Sequence, residues 1–123
     1  MPLHITRANE GESVDRSAAE IFEGGAVHGR TLIQPGTSEH LSASVVQFSP
    51  GARTRMHRHT SDQLLYVVSG IGKVGDPKGE HVISNGDAVL IPAGEDHWHG
   101  AGDTTSPMSH LTIMRSDSQT TVL

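Results

Sequence analysis

The residues best suited to chemistry are two pairs of histidines. His57 and His59 are separated by one residue, and His97 and His99 repeat that spacing further along the chain. Alternate residues of an extended strand point to the same face, so each pair can present two imidazoles to one ion. The chain has no cysteine, and a bound metal would therefore be held by nitrogen and oxygen alone.

Gln63 could add an oxygen ligand. Residues 60–62 separate His59 from the apolar run that begins at Gln63. If these three residues form a hairpin loop, His59 and Gln63 stand opposite each other on one face, and the amide carbonyl reaches the same ion. The alternative is an ordinary strand residue whose amide bonds to the backbone.

Four further side chains have two interpretations each. Strand parity places His99 on the side of His97, yet it could also pack at the rim or lie on the surface. His110 lies on the last strong strand pattern and is either a site residue or a structural one. Arg53 and Arg55 share parity with His57, but a bend after Gly51 would leave both arginines in solvent. The remaining histidines lie in polar or turn settings and are read as surface residues: His4, His28, His40 and His81.

Short β-branched runs separated by turn residues must position these side chains. The chain contains 14 glycines and 6 prolines, and no long window has a helical repeat. The pattern predicts an all-β fold with a sandwich or barrel architecture. One or two helical turns are indicated at residues 17–22, where a capping-box spacing precedes two glycines. The predicted strands are 27–33, 41–48, 52–59, 63–68, 73–75, 80–83, 88–91, 98–100 and 108–114.

The length and charge limit the domains and partners. A chain of 123 residues is one domain, read as an N-terminal arm at 1–16, a core domain at 17–115 and a frayed tail at 116–123. The net charge is −5 and there is no basic run, which argues against nucleic acid and anionic membranes. No apolar run is long enough to span a membrane, and the first twelve residues lack signal-peptide features. We therefore expect a cytoplasmic protein with a small-molecule substrate.

Two motifs resemble those of the cupin family. Residues 51–70 resemble the first cupin motif, with Gln63 in the place of the usual Glu, and residues 86–101 resemble the second, with Ala101 in the closing Asn position. The resemblance implies a double-stranded β-helix, or jelly-roll barrel. It also implies a central divalent metal held by His57, His59, Gln63 and His97.

A closer resemblance rests on residues 94–101, whose sequence is GEDHWHGA, and on the downstream segment 108–111. Together they are similar to small bacterial cupins that act as manganese-dependent hydroxynitrile lyases. The resemblance implies that His99 and His110 lie beside the substrate, with one acting as general base in a reversible carbon–carbon cleavage. It favours manganese, with iron and zinc as alternatives.

The neutral amide at position 63 bears on function. Three imidazoles and an amide leave a divalent ion with its full charge, which suits a lyase or isomerase that stabilises a developing anion. The alternatives are an Fe(II)-dependent dioxygenase and a non-catalytic metabolite-binding cupin. We also expect a homodimer, because residues 41–48 offer an apolar outer face that a second subunit can cover.

Overall fold

The structure, a computed structural model, describes residues 3–123 and contains strands but no helix within them. It therefore has no helix there that could cross a membrane. The strands are β1 (Val14–Asp15), β2 (Phe22–Glu23), β3 (Val27–Thr31), β4 (Leu41–Phe48), β5 (Arg53–Thr54), β6 (His57–His59), β7 (Gln63–Asp76), β8 (Gly79–Ser84), β9 (Ala88–Ile91), β10 (Trp98–Gly100), β11 (Met108–Arg115) and β12 (Thr120–Val122). The all-β prediction is confirmed.

The strands form a curled antiparallel sheet, shaped as a half-barrel around β7. The order across it is β1-β3-β4-β11-β7-β10-β5-β2, and β8 and β9 also pair with β7. Strands β6 and β12 form a separate two-stranded sheet. Strand β7 is shared by both halves: its first part pairs with β11 and β9, and its last part with β8 and β10.

A bulge and a glycine bend β7 between these two parts. The register against β11 shifts between Ser109 and His110, so that these residues face Ser69 and Val67 and leave Val68 as the extra residue. Gly70 follows with φ +80°, and a Cβ there would collide with the Pro107 carbonyl oxygen. A single strand can thus serve both walls of the half-barrel.

Strict alternation separates the inner from the outer side chains. In the first part of β7, residues 63–68, the buried members are Gln63, Leu65 and Val67, and in β11 the buried members include His110 and Thr112. The inner face therefore carries polar groups among the apolar ones. The apolar core is formed by Val27, Phe48, Ala52, Val67, Ile83, Ala101 and Met108.

The structure corrects two strand predictions. The predicted strand 52–59 is two strands, because β5 pairs with β2 and β10 whereas β6 pairs with β12. The predicted strands 63–68 and 73–75 are one continuous strand, β7. The local sequence pattern did not reveal that the pairing strand changes between β5 and β6. It also did not reveal that β7 continues through Gly70.

The predicted helical turn at residues 17–22 is wrong. Two hydrogen-bonded turns are present instead, from Ala19 N–H to the Arg16 carbonyl and from Phe22 N–H to the Ala19 carbonyl. The Ser17 hydroxyl, which would have capped a helix, accepts a hydrogen bond from Val27 N–H at 2.8 Å. This hydrogen bond anchors the segment to β3. The serine that resembled a helix cap therefore makes a tertiary contact instead.

Two expectations next to the histidines also fail. The end of the supposedly frayed tail, Thr120–Val122, is strand β12 and pairs with all three residues of β6. The hairpin predicted around residues 60–62 does not form, since β6 pairs with β12 while β7 pairs with β9 and β11. His59 and Gln63 therefore do not face each other as cross-strand neighbours.

Candidate metal centre and active site

Three buried histidines converge inside the half-barrel. Strand β6 directs His57 and His59 to the same side, as their parity predicted, and His97 joins them from the residue before β10. The ring nitrogens available from the three side chains all lie within 4.8 Å of one another. This cluster could hold a metal ion.

Hydrogen bonds orient each imidazole of the cluster. Nδ1 of His57 lies 2.8 Å from the Arg55 carbonyl, and Nδ1 of His97 lies 2.9 Å from the Glu95 carbonyl. A carbonyl can only accept, so these contacts place the proton on Nδ1 and leave a lone pair on Nε2. Nδ1 of His59 lies 2.7 Å from the Thr120 hydroxyl.

The chemistry of these atoms fits a metal. Nε2 of His57 and Nε2 of His59 are buried and have no hydrogen-bond partner in the protein. Buried lone pairs without partners are costly unless they coordinate an ion. An Nδ1–H bond to a carbonyl or hydroxyl, with Nε2 left free, is the usual arrangement of a metal-binding histidine.

Burial keeps the cluster neutral at physiological pH. Loss of hydration lowers the pKa of His57 and of His59 to about 4 and also lowers that of His97. Repulsion from the neighbouring histidines lowers the pKa of His57 further, while the Arg55 carbonyl opposes the shift. Neutral imidazoles are the form that metals bind, so protons do not compete near pH 7.

Gln63 lies at the edge of the cluster. Its side-chain nitrogen donates to the Thr112 hydroxyl at 2.8 Å, and Oε1 lies 3.2 Å from Nε2 of His97. The residue is buried on the inner face of β7. Since the amide bonds to a side chain, the alternative of a backbone-bonding strand residue is not what the structure shows.

His99 and His110 form a second, directly bonded pair. Nε2 of His110 lies 2.9 Å from Nδ1 of His99, and both side chains are buried. The His99 ring centroid lies 5.4 Å from that of His57 and 5.7 Å from that of His97. The pair thus adjoins the three-histidine cluster, although His99 and His110 are eleven residues apart.

This pair is also uncharged. Burial lowers the pKa of His110 to about 4 and, with repulsion from His110 and the cluster, lowers the pKa of His99 well below its usual value. Between the two facing nitrogens there is room for one proton, which either ring can carry. The main-chain N–H of His99 donates to the Thr54 hydroxyl at 3.0 Å and holds this end of β10 in place.

A cavity of about 380 Å³ is lined by residues of β3, β4 and β11, and Thr112 is one of them. Thr112 also bonds to Gln63, so the cavity adjoins the hydrogen-bond network of the cluster. Hydroxyl and apolar side chains share its lining, which includes Thr31, Ile33, Ser42, Ser44, Thr112 and Met114. A second recess, of about 340 Å³ and mainly apolar, is lined by residues of β7, β8 and β9 and by His97.

The two arginines do not join the site. The Arg55 guanidinium lies 3.0 Å from the Glu23 carboxylate, and Arg53 also pairs with Glu23. Arg53 in addition lies over the ring of Trp98, 3.8 Å from its centroid. The break between β5 and β6 turns both guanidinium groups away from the histidines.

A protein-family comparison matches the model of the cupin domain over residues 44–114, which is more than half of the chain. The chain belongs to the cupin family. The match spans all three histidines of the cluster and also Gln63, His99 and His110. The cupin fold inferred from the two sequence motifs is confirmed.

Two relatives of this cupin are lyases. An (R)-mandelonitrile lyase of Granulicella tundricola is 40% identical over 90 residues, which are 72% of this chain and 68% of that protein. A dimethylsulfoniopropionate lyase of Ruegeria pomeroyi is 32% identical over 102 residues, which are 80% of this chain and 66% of that protein. This cupin thus spans about two thirds of the length of each lyase.

A solved structure shares the architecture. The crystal structure of a cupin-like protein from Thermotoga maritima superposes with a TM-score of 0.80 and 27% identity, and it covers 92% of this chain and 84% of that one. The half-barrel is therefore a recurrent cupin architecture.

Sequence reasoning missed the residues that support the histidines. Thr120 bonds to His59 from a segment expected to fray, and Thr54 bonds to His99 from a strand expected to continue into β6. Thr112 had one usable signal, because it shares strand parity with His110. The other two had none, since their contacts depend on which strands become neighbours.

Proposed function

We propose that this cupin is a metal-dependent lyase that cleaves a carbon–carbon bond in a cyanohydrin and releases a carbonyl compound and hydrogen cyanide. One observation carries the proposal: an uncharged His99–His110 pair lies against a three-histidine cluster in which the Nε2 atoms of His57 and His59 lack partners. The similarity to the (R)-mandelonitrile lyase of Granulicella tundricola supports the same class of reaction.

We assign the metal to His57, His59 and His97, with Gln63 as the fourth ligand. The separation of Gln63 Oε1 and His97 Nε2 is 3.2 Å, and with the His97 proton on Nδ1 both atoms present lone pairs. Two atoms that bind one first-row ion at about 2.1 Å in adjacent positions lie about 3 Å apart. The contact therefore favours Gln63 as a ligand.

Nitrogen and oxygen donors without sulfur suit manganese, iron and zinc, and we propose manganese. When bound, the ion would supply a fixed positive charge, undiminished by any anionic ligand, to stabilise negative charge that develops on the substrate oxygen. The protein residues around it would perform the proton transfer and exclude water.

His99 is assigned as the general base. Nε2 of His99 takes the proton of the cyanohydrin hydroxyl, the oxygen forms the carbonyl double bond, and the bond to the nitrile carbon breaks with its electron pair on cyanide. That proton then returns to cyanide, and hydrogen cyanide leaves. His110 supports this cycle because it can accept the Nδ1 proton of His99 and share the added positive charge.

The cavity beside Thr112 is assigned to the organic group of the substrate. Its mixed lining of hydroxyls and apolar groups such as Ile33 and Met114 suits a small, mainly apolar group attached to a hydroxyl-bearing carbon. Its volume of about 380 Å³ accommodates a single small molecule.

The deciding experiment is an anaerobic assay of cyanide release. The protein is loaded separately with Mn²⁺, Fe²⁺ and Zn²⁺ and offered racemic mandelonitrile and an aliphatic cyanohydrin at a pH where spontaneous decay is slow. We expect cyanide release that needs both the metal and His99 but no oxygen. Failure to release cyanide from either cyanohydrin would reject the proposal. In that case, oxygen uptake with Fe²⁺ would indicate a dioxygenase. Bound metal without any turnover would indicate a binding protein.

A further inference from the structure

The cavity beside Thr112 is lined in part by a row of hydroxyl groups. Thr31 of β3 faces Ser44 of β4, and Ser44 in turn faces Thr112 of β11, each as a direct cross-strand neighbour. Directly opposed residues project their side chains to the same face of a sheet. All three residues line the cavity, and together we call them the hydroxyl row.

Each hydroxyl of the row keeps a proton that it can donate into the cavity. The Thr112 hydroxyl accepts from the Gln63 amide at 2.8 Å, and its own proton has no acceptor among the described residues. Thr112 is only 8% exposed, so this donor is buried. The hydroxyls of Thr31 and Ser44 form no hydrogen bond within residues 3–123. Unpaired donors are costly when they are buried, and an oxygen atom of a ligand in the cavity would supply the acceptor.

The row leads away from the three-histidine cluster. Thr112, at one end, is bonded to Gln63, which we assigned as the fourth ligand. Neighbouring strands lie about 4.8 Å apart, so Ser44 stands about 5 Å from Thr112 and Thr31 about 10 Å from it. A substrate that reacts at the cluster would therefore extend its organic group along the row.

The rest of the lining is uncharged. Among the described residues around the cavity there is no lysine, arginine, histidine, aspartate or glutamate. Ile33 and Met114 provide apolar contacts beside the row. A carboxylate or an ammonium group would lose its hydration here without meeting an opposite charge. The cavity therefore suits a neutral molecule.

We infer that the hydroxyl row recognises an oxygen atom, of a phenol or an ether, on the organic group of a neutral substrate. The inference rests on the proposed function, because it assigns the same cavity to the organic group of that substrate. An oxygen near Ser44 gives the row its acceptor, whereas a hydrocarbon group of equal size leaves the donor unpaired. The expected substrates are cyanohydrins of hydroxylated or alkoxylated aldehydes rather than those of plain hydrocarbon aldehydes.

The first test measures binding without turnover. 3-Hydroxybenzyl alcohol and 3-methylbenzyl alcohol share the ring and the benzylic hydroxyl, and they differ only in a hydroxyl or a methyl group at the meta position. Each is titrated into the Zn²⁺-loaded protein and followed by nuclear magnetic resonance. The hydroxylated ligand should bind about three- to tenfold more tightly, the range for one net hydrogen bond. 3-(Hydroxymethyl)benzoate, which carries a carboxylate at the same position, should bind more weakly than either alcohol.

Three variants locate the preference. Ser44→Ala should bring the ratio of the two dissociation constants close to one, because a meta oxygen lies about one strand spacing from the benzylic oxygen. Thr31→Val keeps the side-chain shape and should lower the ratio less. Ser69→Ala, at an exposed serine outside the cavity, is the control and should keep the ratio of the wild type. Circular dichroism checks that each variant is folded.

Cyanide release from 3-hydroxymandelonitrile and 3-methylmandelonitrile separates this inference from the proposed function. Tighter binding of the hydroxylated alcohol that is lost in Ser44→Ala supports the row, whether or not cyanide is released. Equal or undetectable binding of the two alcohols overturns the inference, even if both cyanohydrins release cyanide and the lyase assignment stands. A ratio unchanged in both Ser44→Ala and Thr31→Val overturns it as well, and so does tighter binding of the benzoate.

Discussion

The main chains of His57 and His97 are joined by two hydrogen bonds, each 2.9 Å from amide nitrogen to carbonyl oxygen. This isolated bridge connects the first and second sequence motifs at the residues that carry two of the clustered imidazoles. The ring centroids of the two histidines are consequently only 4.2 Å apart. Backbone pairing, rather than side-chain flexibility, brings the two together.

His97→Ala should remove the metal while leaving the bridge, because the bridge uses only main-chain atoms. Loss of a supporting group costs a metal site about 10- to 100-fold in affinity, and loss of a ligand should cost more. Metal content per chain after dialysis measures the effect. His81→Ala, at an exposed histidine outside the cluster, is the control, and equal metal in both variants would reject the site.

His99→Ala should preserve the fold and the metal but lower cyanide release by about 10²- to 10⁴-fold, the range for loss of a general base. The imidazole adjoins the cluster, and its only side-chain hydrogen bond is to His110. Steady-state rates with equal metal occupancy measure the change. Activity within a few-fold of the wild type would make His99 a packing residue.

Gln63→Glu should raise metal affinity and lower turnover. The substitution keeps the shape and adds one negative charge beside the cluster. The Thr112 hydroxyl, which accepts from the Gln63 amide, can rotate and donate to the new carboxylate instead. The same charge opposes an anionic intermediate, so the rate should fall at least about tenfold. Metal titration and anaerobic rates are measured together; no change in either would place Gln63 outside the ligand set.

Thr120→Val tests the unexpected strand β12. The substitution keeps the side-chain shape and removes the hydroxyl that lies 2.7 Å from Nδ1 of His59. Metal affinity should fall by about 10- to 100-fold, as is typical when a histidine ligand loses its supporting hydrogen bond. Thr121→Val, at the next residue of the same strand, is the matched control and should bind metal like the wild type.

Acid should destabilise the metal-free protein. In the folded state burial lowers the pKa of His57, His59 and His110 to about 4, whereas the unfolded chain has the ordinary value of 6.5. The unfolded state therefore binds more protons between these values, and the free energy of unfolding should fall as the pH drops from 6.5 towards 4. Urea unfolding midpoints at pH 8, 6.5 and 5 measure this. A midpoint that stays constant down to pH 5 would contradict it.

Local sequence was sufficient for features that depend on strand parity. The alternation of His57 and His59, and of His97 and His99, correctly placed all four imidazoles on inner faces, because a strand directs every second side chain the same way. The two motifs likewise led to the cupin fold. Turn residues between the apolar runs predicted most of the strand positions. The prediction nevertheless merged two strands into one at residues 52–59 and divided β7 into two.

Only the tertiary structure decided which elements meet. The His57–His97 bridge, the His99–His110 contact and the support of His59 by Thr120 all join residues whose proximity requires particular strands to be neighbours. Nothing in the local composition of residues 116–123 distinguishes a frayed tail from strand β12, since pairing with β6 supplies the hydrogen bonds that stabilise it. Parity determines which way a side chain points, whereas strand pairing across the barrel determines which other side chain it reaches.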